Sequence, residues 1–358
     1  MLYVPFLEYN SSNLSFKSIF NAKDSSQKML NNSLQCTSFG NEYAFIYVLV
    51  PTFYIIVFTV GLIGNIIIVV ALTCWLPSRS VANIYIVNLA IANLLFVATL
   101  PFWAISMFSQ YQWPFGSVMC KLCGTLSAMN MYSSIFFITC LSIDLYLAIV
   151  DPLKSLSRRT PRNERILALV VWISACAAST PTIWFRQTYY SKLYLETICD
   201  MKYPENSNDF WATFVNLMKS TVGFIIPFLL QGICYCLIYK NLLHSPKNKV
   251  IKTKNDKVLR AVVAIVLAFL LCWLPFQVVN FLQVLIQFNI ITDCKTIGAI
   301  SATVPITISI AFANSCINPI LYCVAGGPFR NQLMATLRRG LFQQCCRGTN
   351  ITFLREEK

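Results

Sequence analysis

Apolar residues run along this chain in seven long stretches, roughly 44–78, 81–120, 122–143, 166–185, 210–239, 261–292 and 296–329, parted by polar connections. A hydrocarbon core of about 30 Å takes roughly 20 apolar residues in a helix. Each stretch meets that length or nearly does, with polar ends left for the headgroup layer. The pattern predicts an all-α membrane protein: a seven-transmembrane helix bundle over 44–327, a tail over 1–43, and an amphipathic helix with a cytoplasmic tail over 328–358. The short amphipathic piece is read at Phe329–Phe342. A single charged side chain, Lys219, lies inside the seven stretches. An ammonium in hydrocarbon is costly unless it faces a wet cavity or a partner. Lys219 sits too deep in its stretch to snorkel easily to the headgroups, so it marks a candidate binding site.

Pro51, Pro101, Pro181, Pro227, Pro275 and Pro319 all fall inside the stretches. A proline within a helix removes one backbone hydrogen bond and kinks it, which a membrane bundle tolerates when neighbours satisfy the freed carbonyl. Kinks at Pro275 and Pro319 predict hinges in the sixth and seventh helices and two packings close in energy.

Charge then orients the bundle. The chain carries a net +14, and the excess sits on one side. The first connection holds Arg79; the second Lys154, Arg158, Arg159, Arg162 and Arg165; the third Lys240, Lys247, Lys249, Lys252, Lys254, Lys257 and Arg260. The tail adds Arg330, Arg338, Arg339, Arg347, Arg355 and Lys358. Positive connections stay cytoplasmic, which puts the N-terminus outside. These basic segments call for anionic lipid headgroups and no nucleic acid. Sequons at Asn10, Asn13 and Asn31 fit a glycosylated outer tail. Residues 1–30 lack the apolar core of a cleavable signal, so the first span is expected to direct its own insertion.

Fifteen cysteines sharpen the picture. Cys36, Cys120, Cys199 and Cys294 fall on the predicted outer side, enough for two disulfides in any of three pairings. Joining Cys120 to Cys199 would pin the loop after the fourth helix over the bundle mouth, and Cys36 with Cys294 would then tie the tail to the last outer loop. Cys345 and Cys346 follow the amphipathic piece and are candidates for palmitoylation.

Gly64-Asn65, Leu89-Ala90-Ile91-Ala92, Trp172, Asp144-Leu145-Tyr146, Cys272-Trp273-Leu274-Pro275 and Asn318-Pro319-Ile320-Leu321-Tyr322 stand in an order that resembles class A (rhodopsin-like) G-protein-coupled receptors. Thr99-Leu100-Pro101-Phe102-Trp103, Ile135-Phe136-Phe137-Ile138-Thr139-Cys140, Leu217-Met218-Lys219 and Asn314-Ser315-Cys316 resemble the peptide-binding branch, angiotensin receptors of type 2 above all. Met131-Tyr132-Ser133-Ser134 and Phe276-Gln277 lean towards bradykinin receptors. The resemblance implies an extracellular peptide as ligand and a heterotrimeric G protein as partner at the plasma membrane, with no cofactor. It places Lys219 and Arg186 where angiotensin receptors hold the peptide's terminal carboxylate. Tyr54, Trp103, Trp273, Gln277 and Ile308 match pocket-lining positions; Pro227, Ile135 and Phe269 match the packing triad between pocket and hinge; Tyr235 and Tyr322 match coupling positions.

Departures from the family pattern carry equal weight. The aspartate that holds sodium with Asn130, Ser134, Asn314, Ser315 and Asn318 is replaced by Asn93, and an amide lacks the charge that offsets cation dehydration. The arginine after Asp144 is Leu145, so weakened coupling is expected and a non-signalling decoy or scavenger receptor is the rival reading; a chemokine-type receptor is another. Gln283 and Gly298 stand where angiotensin receptors carry acids for the peptide's arginine, leaving Asp200, Asp293 or Glu205 to replace them. Thr349 and Thr352 are the only phosphorylation acceptors beyond residue 341, which predicts weak or absent arrestin recruitment. An enzyme is not expected: His244 is the only histidine, which excludes histidine triads and paired-histidine metal sites. A transporter would need acids or inverted repeats within the spans, and neither is present.

Overall fold

The computed structural model describes residues 44–75, 81–151, 160–191, 194–204, 207–244 and 249–325. Asn10, Asn13, Asn31, Cys36, Glu205, the amphipathic stretch, Cys345 and Cys346 lie outside the described residues. Helix α1 (Ile46–Val70) runs on through a π-turn, Ala71–Trp75; α2 (Val81–Val97) and α3 (Leu100–Phe108) together form the second span; α4 (Gly116–Val150) is the third and α5 (Pro161–Phe185) the fourth. Strands β1 (Arg186–Ser191) and β2 (Glu196–Met201) follow. The fifth span joins α6 (Asn208–Ser220) to α7 (Ile226–His244) through a π-turn at Thr221–Ile225; α8 (Lys249–Gln287) and α9 (Cys294–Ala325) complete the series. Seven helices are long and apolar enough to cross a membrane, and their outward faces present side chains such as Ile63, Leu169, Leu229 and Leu271.

Two expected boundaries move. The apolar stretch 81–120 is a span, a loop and the first turn of the next span: the second span stops at Phe108 and the third begins at Gly116. Gln110, Tyr111 and Gly116 all have positive φ, a backbone region that ends regular helix. The loop stays apolar because it packs inward. Trp113 is buried, its ring 5.1 Å from both Trp103, tilted, and Phe115, edge-on. The third span also continues past residue 143 to Val150.

The third span sits at the centre, touching the second, fourth, fifth and sixth spans and the hairpin. Helix α5 starts where it does because the Thr160 side chain accepts from the Asn163 N–H, Pro161 takes the first turn and Glu164 meets the helix dipole. Asp293 does the same for α9, accepting from the N–H and hydroxyl of Thr296. These bonds hold the Asp293 carboxyl below its usual range. At the end opposite the hairpin, Tyr85 hydrogen-bonds Glu164, and Trp172 Nε1 donates to Asn88 at 2.9 Å, tying the second span to the fourth.

The two-stranded hairpin is the addition to an all-α plan. Its antiparallel register sets Arg186 opposite Met201, Gln187 opposite Asp200 and Thr188 opposite Cys199. A disulfide joins Cys199 to Cys120 in the third span. Gln112 bridges to Ile198, and Trp113 N donates to Thr197 O at 2.8 Å, so the loop after the second span extends the sheet by one contact.

Close approach of spans depends on glycine. A Cβ at Gly64 would lie 2.8 Å from Pro319 Cβ, and one at Gly61 2.9 Å from Val97 Cγ1. Overpacking of that kind costs about 1–3 kcal/mol. Gly64→Val is therefore expected to lower the melting temperature of the purified protein by several degrees. Gly232→Ala, where a Cβ meets nothing within 4 Å, should leave it unchanged or slightly raised.

Candidate functional site

The hairpin begins on a buried cation. Arg186 follows directly on α5 and is 1% exposed. Its guanidinium carbon lies 4.8 Å from the centre of the Trp103 ring, and Nη2 donates to Cys199 O at 3.0 Å. The arginine fits because the third span has no side chain at Gly124, where a Cβ would fall 2.3 Å from Arg186 Cδ. Burial pushes its guanidinium downward, opposed chiefly by Asp200. Nε has no hydrogen-bond partner.

Lys219 lies in α6, 6% exposed, and neither it nor Arg186 forms an ion pair among the described residues. Around them the interior is polar but incompletely bonded. Ser220 donates to Gln277 Oε1 at 2.9 Å, Asn280 donates to Ser220 at 3.0 Å and to Asn216 O at 3.3 Å, and Thr213 donates to Gln287 Oε1 at 3.0 Å. This seam joins the fifth span to the sixth. It leaves Asn216 Nδ2, Gln277 Nε2 and Gln287 Nε2 unpaired, as are Trp103 Nε1, Tyr132 Oη and Trp273 Nε1. Buried polar groups normally find partners, so this convergence marks a place for a polar guest.

Aromatic rings line the way below. Trp273 stacks on Phe269 at 5.7 Å, and Phe269 meets Phe228 at 6.1 Å. Pro227, Ile135 and Phe269 are all buried, Ile135 and Phe269 completely. Of the expected lining residues, Trp103 joins Arg186 and Gln277 joins the seam. Tyr54 instead packs on Phe312 at 5.4 Å, and Ile308 is buried in the apolar core. Gly124, Asn216, Ser220, Asn280 and Tyr132 were not anticipated; Gly124 and Tyr132 look like ordinary core in the sequence, and the seam residues carry no charge to flag them.

Farther in, a chain of amides takes the place of a cation site. Asn93 Nδ2 donates to Asn65 Oδ1 at 3.3 Å, Asn130 Nδ2 donates to Asn93 Oδ1 at 2.9 Å, and the Ser315 hydroxyl donates to Asn130 Oδ1 at 3.3 Å. Asn130 also reaches Ser134 Oγ at 3.5 Å, and Asn65 donates to Ser315 O at 2.9 Å. Asn93 works as donor and acceptor together, which a carboxylate cannot. Its one oxygen is already engaged, so these residues do not fit the sodium ion that the class A pattern implies. The side chains of Asn314 and Asn318 are buried without partners.

At the far end of the third span, Leu145 is buried with Ile149, Ile238 and Val262, and Tyr146, Val150, Tyr235 and Leu259 pack around them. The third, fifth and sixth spans thus meet on hydrocarbon. Polar ties between the third and fifth spans lie on both sides of the contact: Ser142 Oγ to Tyr235 Oη and Gln231 Nε2 donating to Thr139, each at 2.8 Å, on one side, and Asn241 Nδ2 donating to Val150 O at 3.5 Å on the other. Asp144 is buried beside them. Tyr322 lies on α9.

The amide network generates a direct expectation. Sodium, exchanged for potassium or choline, should leave the melting temperature of the parent protein unchanged. Asn93→Asp should destabilise it in choline, because a buried carboxylate then lacks a counter-charge, and sodium should restore the loss selectively.

Comparison with known proteins agrees with this architecture. Residues 64–322 match the family described as "7 transmembrane receptor (rhodopsin family)". The chain is 40% identical over 299 residues to the type-1 angiotensin II receptors of Meleagris gallopavo and Gallus gallus, covering 84% of this chain and 83% of each relative. It is 38% identical, with the same coverage, to the type-1 angiotensin II receptor A of Mus musculus. The likeness to angiotensin receptors expected from the motifs holds at that level, and a receptor of this kind is not an enzyme. By fold, by the order of its motifs and by these matches, the chain belongs to the rhodopsin family of seven-transmembrane receptors.

Proposed function

We propose that this receptor sits in the plasma membrane with its N-terminus outside and binds a small peptide of the angiotensin type through the peptide's terminal carboxylate. The observation that carries this reading is the pair of buried cations, Arg186 and Lys219, neither in an ion pair among the described residues and both set among unpaired donors. Charge-assisted hydrogen bonds to a carboxylate would satisfy both cations in a low-dielectric pocket. The peptide-binding likeness of the relatives, named as angiotensin II receptors, points the same way.

Binding is transmitted to a heterotrimeric G protein. The donors left open on the seam lie between the fifth and sixth spans, so a ligand that engages Gln277 and Asn216 changes how those spans meet. Trp273, Phe269 and Phe228 continue from there towards Leu145. Movement about Pro227 and Pro275 opens the far end. Cys294 is disulfide-bonded, and Cys36 is its partner in this reading. Asn10, Asn13 and Asn31 carry glycans, Cys345 and Cys346 carry palmitate against anionic lipid, and arrestin recruitment is weak.

One observation favours a second reading. Among the described residues, the apolar cluster around Leu145 holds no cation to release towards a G protein, as expected of a receptor that takes up peptide without signalling. Cells expressing the parent or Leu145→Arg, exposed to angiotensin II, separate the two. Signalling receptors give G-protein output from the parent; a decoy binds and internalises peptide in both but signals only with the arginine.

Lys219→Gln and Arg186→Gln should each weaken angiotensin II binding by about 30-fold or more, the range for losing one partner of a buried charge pair. The C-terminal amide of the peptide should be affected far less. Gly124→Val, which drives a side chain into Arg186, should resemble Arg186→Gln. Equal losses for acid and amide would sink the carboxylate assignment.

A further inference from the structure

Three acids remained to meet a cationic group on the ligand: Asp200, Asp293 and Glu205. Asp293 is exposed and spends its carboxylate capping α9, and Glu205 lies outside the described residues. Asp200 is different. It is 7% exposed, and it is the only buried acid on the hairpin side among the described residues, Asp144 being at the other end.

Its neighbours are the two cations of the site. The guanidinium of Arg186 donates at 3.0 Å to the carbonyl of Cys199, the peptide group that carries Asp200. Burial raises the Asp200 carboxyl above its usual range, and Arg186 and Lys219 are the side-chain charges that oppose this. That carboxylate accepts one hydrogen bond, from the Met201 N–H at 2.8 Å. It forms no ion pair among the described residues. A buried carboxylate held this loosely is a poor structural strut, because a fixed ion pair needs close geometry to offset desolvation. It is placed to act through its field.

We propose that Asp200 is the resident counter-ion of the Arg186–Lys219 pair, which an arriving carboxylate must out-compete. Resting on the carboxylate reading above, this assigns the hairpin a part in specificity. With Asp200 charged, the cluster carries one net positive charge, matched by a single anionic group. Without it the cluster carries two, and anions bind more tightly. The same charge offsets part of the cost of burying the two cations. Asp200 therefore holds down affinity for anions in general, leaving the rest of the ligand to supply discrimination.

The test uses the full chain in lipid nanodiscs, with N-acetylphenylalanine and its amide as probes and dissociation constants read by calorimetry. The parent should bind the acid more tightly than the amide. Asp200→Asn should bind the acid at least about tenfold more tightly again, the size of one unit charge about 12 Å away at an effective dielectric of about 20. The amide should change less than about twofold, within the reach of small packing effects, and Asp200→Glu should restore parental behaviour.

If the acid outbinds the amide on the parent but Asp200→Asn leaves that preference unchanged or reduces it, the counter-ion assignment is wrong and the carboxylate site stands. If acid and amide bind alike and Lys219→Gln changes nothing, the carboxylate site itself fails and takes this inference with it. Should Asp200→Asn not fold, the double variant Asp200→Asn, Lys219→Gln decides. It restores the parental net charge, so its folding supports the counter-ion, and its failure makes Asp200 a structural residue and overturns the proposal.

Discussion

Arg186 imposes the condition on which the hairpin half of this molecule rests: a guanidinium, nearly without solvent exposure, has to be held by neighbours rather than by water. Trp103 supplies a ring face, Cys199 a carbonyl, and Gly124 the space. Each belongs to a different element, so satisfying one side chain fixes the hairpin to the second and third spans. The Cys120–Cys199 disulfide fastens the same strand to the same helix. Removing the charge would thus loosen the hairpin from both spans at once.

The interior divides into three levels with different bonding. Below the hairpin, polar groups outnumber their partners, and the surplus is donors. In the middle, amides and hydroxyls from the first, second, third and seventh spans form a neutral chain that needs no ion. At the far end, contact between the third, fifth and sixth spans is hydrocarbon, with hydrogen bonds between the third and fifth spans on either side of it. Hydrocarbon contact is less geometrically demanding than a charge pair, since no specific bond fixes how the surfaces meet there.

The seven spans were readable from hydropathy because a bilayer forbids unsatisfied backbone, leaving helices as the only open-chain solution. Lys219 stood out for the same reason. The boundary between the second and third spans did not, because Trp113 and Phe115 are apolar for packing against the bundle and not for contact with lipid. The hairpin was equally hidden: Arg186–Ser191 is a polar segment with no alternation, and its pairing is imposed by a disulfide and by Arg186 beneath it. Gly124 carries its meaning only through a residue 62 positions away. The loss of a charge at Asn93 was plain in sequence; that its amide would bridge Asn65 and Asn130 depended on side chains from three helices meeting.

The π-turn at Thr221–Ile225 has a consequence for how the fifth span serves two masters. One residue more than an α-helical turn needs is inserted there, just before Pro227, whose ring opposes the carbonyl of Gly223. An extra residue advances the angular phase of everything beyond it by about 100°. Lys219 and Tyr235 therefore belong to two screws of different setting, joined by a coupling rather than cut from one thread. Either end can be retuned by substitution without turning the other out of alignment, whereas a one-residue deletion in the joint would rotate the whole lower segment away from its partners.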